Sequence, residues 1–113
     1  MPLIDLKTNV EVAPSKAAEL KEQFGKAITV IPGKTENWLM VNIEDKKTMF
    51  FSGDGSPCAI AEVKIFGKAA DKDLDNLTAI LCKAISSSLG VSEKRIYVKY
   101  EFVDHWGWNG SNF

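Results

Sequence analysis

Between Leu3 and Thr8 the chain keeps the two-residue period of a strand, with Ile4 and Leu6 on one side and Asp5 and Lys7 on the other. The period then changes. Ala17, Leu20, Phe24, Ala27, Ile28 and Ile31 recur at helical spacing, Pro14 suits the first turn, and Pro32-Gly33 ends the element. A second strand is predicted from about Trp38 to Glu44. The succession then repeats: a strand over Ala59–Phe66, a helix over Asp71–Leu89 carried by Leu74, Leu77, Leu81, Ile85 and Leu89, a stop at Gly90, and a strand over Ile96–Phe102.

The two halves match without gaps at an offset of about 57 residues. Gly33–Val41 faces Gly90–Val98, Lys26-Ala27-Ile28 faces Lys83-Ala84-Ile85, and Leu3–Lys7 faces Ile60–Lys64. One offset that serves strand, helix, glycine stop and strand marks a duplication. The chain therefore reads as a single domain, 1–113, built from two βαβ units at about 2–44 and 59–101. Right-handed crossovers related by a pseudo-two-fold axis place both helices on one face of a four-stranded sheet, an α+β fold of the two-layer α/β sandwich type. Strand parity puts Ile4, Leu6, Leu39, Val41, Ile43, Ala61, Val63 and Val98 under the helices. Asp5, Lys7, Trp38, Met40, Glu62, Lys64, Tyr97 and Lys99 fall on the opposite face. A face mixing Trp, Met and Tyr with charges is too apolar to stand bare and too charged for a dry core, which predicts self-association around a wet centre. Between the repeats, Thr48–Phe51 reads as a short edge strand and Ser52–Pro57 as a turn-rich loop.

Composition narrows the function classes. Fourteen basic and fifteen acidic residues, interspersed to a net charge of -1, leave no stripe that would attract a nucleic-acid backbone. No apolar run is long enough to span a bilayer, so no membrane partner is expected, and Asp5 and Lys7 interrupt any leader-like segment, which points to a cytoplasmic protein made without a signal peptide. Two cysteines, Cys58 and Cys82, and one histidine, His105, do not make up a zinc site, and neither a metal nor another cofactor is expected.

Candidate chemistry concentrates at the ends of the chain. Met1-Pro2 favours removal of Met1, which would leave the secondary amine of Pro2 as terminus. Burial or a neighbouring cation would lower its pKa and make it a general base near neutrality. Lys34, just after the Pro32-Gly33 turn, could bind a carboxylate or depress that pKa. Tyr97 and Lys99 lie together on the uncovered face, where Tyr97 could donate a proton or simply pack. The terminal run His105–Phe113, with Trp106, Trp108 and Phe113, is too aromatic for a free tail and must pack on something.

These pieces together resemble the macrophage migration inhibitory factor family of the tautomerase superfamily. The residues that carry the resemblance are Pro2, Asn9-Val10, Gly33-Lys34, Ser56-Pro57-Cys58-Ala59, Arg95-Ile96-Tyr97 and Gly107-Trp108-Asn109-Gly110-Ser111-Asn112-Phe113. The resemblance implies a homotrimer with pockets at subunit interfaces that interconvert keto and enol forms of aromatic α-keto acids such as phenylpyruvate. Pro2 would be the base and Lys34 the carboxylate holder. Trp38, Ile65, Phe66, Trp106, Trp108 and Phe113 would wall the pocket, with Tyr97, and Lys99 near it, completing the set from the uncovered face of a neighbouring subunit. The family also implies a second reading, a cytokine-like signal exported without a signal peptide and recognised by a cell-surface receptor.

Some family features are missing or altered. Cys58-Ala59-Ile60-Ala61 lacks the second cysteine of the vertebrate Cys-x-x-Cys motif, which removes a thiol oxidoreductase activity. Lys99, Phe66 and Trp106 replace smaller or neutral residues of vertebrate members, which predicts a narrower and more positive pocket. The superfamily's dehalogenases and hydratases use added arginines, and Arg95 is the only arginine here.

Overall fold

A computed structural model describes all 113 residues. Strand β1 (Pro2–Thr8) leads to helix α1 (Pro14–Ala27), strand β2 (Met40–Glu44), strand β3 (Ala59–Phe66), helix α2 (Asp71–Leu89) and strand β4 (Ile96–Val103). A terminal hairpin follows, formed by β5 (Gly107–Trp108) and β6 (Ser111–Asn112). The sheet order is β2-β1-β3-β4, with β1 parallel to β2, β3 parallel to β4, and β1 antiparallel to β3 at the centre. Each parallel pair is thus one βαβ unit, and the two units meet along the pseudo-two-fold axis that the repeat predicts.

The period-2 pattern is realised residue by residue: β1 and β3 alternate between buried and half-buried positions along their whole length. Ile4, Leu6, Ala61 and Val63 are fully buried against Leu20, Phe24, Ile28, Leu77, Leu81 and Ile85 from the helices. Burial of each Ile, Leu, Val or Phe side chain among them stabilises the fold by about 1.5–3 kcal/mol. Helix α2 ends as expected on Gly90, which adopts the left-handed conformation (φ 70°) and donates to the Ser86 carbonyl.

Three local expectations are corrected. Helix α1 stops at Ala27, and Ile28–Val30 continues as a tighter 3₁₀ turn, so Ile31 leaves the helix although it stays buried. The second strand starts at Met40, because Trp38 belongs to another 3₁₀ turn (Glu36–Trp38) that closes on the Glu36 carbonyl. Thr48–Phe51 does not form a strand: Phe51 makes one bridge, to Asp54, and carbonyls of this segment are taken by side chains. Arg95 donates to the carbonyls of Phe51 (3.2 Å), Asp54 (3.0 Å), Ser56 (3.0 Å) and Pro57 (2.9 Å), and its guanidinium lies 5.2 Å from the centre of the Phe51 ring. Asn9 donates to the Gly55 and Ser56 carbonyls and accepts from the Cys58 N–H.

Candidate functional site

The first residues of β1 run beside the end of β3, where Pro2 pairs with Ile65 and the Phe66 N–H donates to the Met1 carbonyl at 3.0 Å. The Pro32-Gly33 turn, with Gly33 at φ 82°, brings Lys34 to the same place, and its ammonium donates to the Phe66 carbonyl at 3.1 Å. An amine and an ammonium therefore share one corner of the sheet. Burial, followed by the charge of Lys34 and a hydrogen bond to it, lowers the pKa of the N-terminal amine from 8.0 to about 6. In the chain with Met1 attached this amine is that of Met1, while the Pro2 nitrogen is a buried amide.

Aromatic rings wall this corner. Met1, Gly33, Trp38, Phe66 and Phe113 line a hollow of about 340 Å³. A second hollow of about 620 Å³ adjoins it, lined by Met1, Pro2, Leu3, Trp38, Met40, Trp106 and Trp108 among others. The Trp38 and Trp108 rings meet edge to face at 5.2 Å, Phe66 and Phe113 lie 5.9 Å apart, and Phe113 stacks on Trp108 at 6.1 Å. The hairpin holds the terminal aromatics there: Asn109 (φ 52°) and Gly110 (φ 87°) make its turn, and the Phe113 N–H donates to the Trp106 carbonyl. Asn109-Gly110 between short polar-apolar runs is the strongest short hairpin cue in the sequence, and it is one that the strand and helix periods do not capture.

Pro2, Lys34, Trp38, Phe66, Trp106, Trp108 and Phe113 thus gather around the amine within one chain, and Ile65 is buried in the strand behind them. Tyr97 and Lys99 do not. Tyr97 pairs with Ile60 and Lys99 with Glu62, which places Tyr97 five strand residues, about 17 Å, along the sheet from the Pro2–Ile65 pair. Tyr97 is 62% exposed with its ring against Phe51, and Lys99 pairs with Glu101 at 3.2 Å.

The uncovered sheet face has its own electrostatics. Lys7 bridges Asp5 (2.8 Å) and Glu62 (3.7 Å), with Glu44 at 4.0 Å, and Lys64 lies 3.9 Å from Glu101. The bond to Asp5 raises the pKa of Lys7. Burial alone would raise Asp5, yet the donations from Lys7 and Asn42 outweigh it and hold Asp5 low. Burial, followed by the charge of Glu93, raises the pKa of the Cys82 thiol, and Cys58 is buried. No group of three or more His, Cys, Asp or Glu side chains is placed to hold a metal ion.

The profile of the family described as macrophage migration inhibitory factor (MIF) matches residues 1–113. Macrophage migration inhibitory factor of Rattus norvegicus is 31% identical over 118 residues, covering 100% of this chain and 99% of that protein. Among solved structures, MIF2 of Leishmania major superposes with a TM-score of 0.94 at 32% identity, over 100% of this chain and 97% of that one. The homologue from Prochlorococcus marinus gives a TM-score of 0.89 at 31% identity, with 98% of each chain covered.

Proposed function

The chain belongs to the macrophage migration inhibitory factor family, and from that membership we propose that it is a cofactor-independent keto–enol tautomerase of aromatic α-keto acids of the phenylpyruvate type. The observation that carries this reading is the corner itself, buried Pro2 next to Lys34 in an aromatic hollow, where burial and the charge of Lys34 already lower the amine of Met1, one residue before Pro2, to about 6. Moving a proton between carbon and oxygen beside a ketone calls for a base of near-neutral pKa and a cation for the acid group.

Removal of Met1 turns the Pro2 nitrogen from an amide into a secondary amine in the same surroundings. That nitrogen takes a proton from the carbon next to the ketone; the C–H electrons form the C=C bond of the enolate, and the displaced carbonyl pair receives the proton at oxygen. The Lys34 ammonium holds the substrate carboxylate, and Trp38, Phe66, Trp108 and Phe113 sandwich its ring. Met1 lines both hollows, and while it is attached the Pro2 nitrogen is an amide, so the unprocessed chain lacks the Pro2 base. In the proposed assembly, a homotrimer, Tyr97 and Lys99 reach the site of a neighbouring subunit across the uncovered face.

The test is phenylpyruvate tautomerisation by protein shown by intact mass to lack Met1, beside Pro2→Ala and the Met1-bearing chain. The proposal expects turnover in the processed protein and its loss in both others. Pro2→Ala as active as wild type would overturn it. Binding to the cytokine's receptor that survives Pro2→Ala, with no turnover in the processed protein, would instead support the signalling reading.

A further inference from the structure

A separate concavity lies on the far side of the molecule from Pro2, on the outer surface of the helix layer. Gln23, Lys26 and Ala27 of α1 and Ile80, Lys83, Ala84 and Ser87 of α2 line a groove of about 380 Å³. Its lining follows the internal repeat: Gln23 and Ile80, Lys26 and Lys83, and Ala27 and Ala84 are each 57 residues apart. The helices run antiparallel, since each returns along a central strand and those strands are antiparallel, and Ser88 of α2 donates to Glu19 of α1 at 3.0 Å. The groove therefore sits on the pseudo-two-fold axis, with Lys26 and Lys83 on opposite rims. Ala27 and Ala84 form a buried floor because neither carries more than a methyl group there, and Ile80 is left 38% exposed at one end.

We propose that this groove binds a small monoanionic amphiphile, a medium-chain or aryl carboxylate, with its acid group between Lys26 and Lys83 and its apolar part over Ala27, Ala84 and Ile80. Charge selects the occupant. No acidic side chain lines the groove, the ion pair of Lys26 is an exposed one with Glu22 a turn back at 3.5 Å, and Lys83 has no salt-bridge partner. Size selects it further. The lining on α1 spans a single turn, about 6 Å, and that on α2 about 10 Å. The α1 wall is too short to seat a helix anchored over two turns, whereas an acyl chain of about eight carbons or one aromatic ring with its carboxylate fits between the two walls. Departure from strict symmetry orients the ligand, since Ile80 is apolar where its counterpart Gln23 is polar.

The experiment is a titration of the folded protein with octanoate, followed by the backbone amide NMR signals of Ala27, Ala84 and Ser87, with 1-octanol as the uncharged control. The proposal expects saturable shifts of these signals that persist in Lys34→Ala, which separates the groove from the N-terminal hollow. It expects 1-octanol to bind several-fold more weakly, and Lys26→Gln/Lys83→Gln to lose roughly two- to fivefold in affinity per lysine, the scale of an exposed charge contact. Ser87→Trp, an exposed change that fills the groove, should abolish the shifts while the remaining spectrum reports an intact fold. Non-saturating shifts, equal binding of 1-octanol, or binding unaffected by both the double variant and Ser87→Trp would overturn it.

Discussion

The amine at the head of β1 and the ammonium of Lys34 are coupled through space and not through sequence. Lys34 reaches the Phe66 carbonyl, 32 residues on, and the Phe66 N–H holds the Met1 carbonyl. Pro2 and Lys34 were each legible as candidates, but their meeting depends on β1 pairing with β3, which no local pattern states. Lys34→Ala in the processed protein should raise KM for phenylpyruvate roughly tenfold or more with a smaller change in kcat, the effect of losing one charge-assisted contact to the carboxylate; steady-state kinetics checks this. The lowered amine pKa also acts on stability. Because the folded amine titrates at about 6 and the unfolded one near 8.0, the unfolded chain takes up a proton first as the pH falls. Stability of the Met1-bearing chain should therefore decline from pH 8 to pH 6. Urea midpoints at the two values, compared with an N-acetylated chain, isolate this contribution: acetylation should flatten the difference.

Among the elements, β1, β3, α2 and the Gly90 stop were readable nearly to the residue, because one face of each of these strands is wholly buried and the helical period of α2 runs unbroken to the glycine. The elements that were misplaced are those fixed by particular side chains or turns. Thr48–Phe51 has the composition of a strand, yet Asn9 and Arg95 hold the segment and the loop after it as an irregular loop. Arg95, which stands in the sequence as the sole arginine and as part of the Arg95-Ile96-Tyr97 resemblance, supplies four of those bonds, and Phe51 in turn supports the Tyr97 ring. Arg95→Ala should lower stability by about 2 kcal/mol, and Arg95→Lys should restore little, since an ammonium cannot reproduce the planar fork; denaturant unfolding reads both. Gly90→Ala should cost about 1 kcal/mol by the same measurement, since φ 70° places a Cβ in the left-handed region.

For the whole molecule, the duplication explains the two-layer architecture and leaves one sheet face without a covering layer. Exposed Met40 and Tyr97 share that face with the Lys7 ion-pair cluster, while Phe50, 71% exposed, projects from the loop between the repeats. The parity of the strands made this face legible; what covers it was not, because a partner's surface leaves no period in the chain. Sedimentation velocity at micromolar concentration should show a species of three chain masses, and a monomer there would remove the shared-site arrangement of Tyr97 and Lys99. Whether the Pro2 amine is the base is decided by the pH dependence of kcat/KM for phenylpyruvate in protein lacking Met1. The value of kcat/KM should rise with pH through a midpoint well below 8, as the Pro2 nitrogen loses its proton. A midpoint at or above 8, or a profile unchanged in Pro2→Ala, would contradict it.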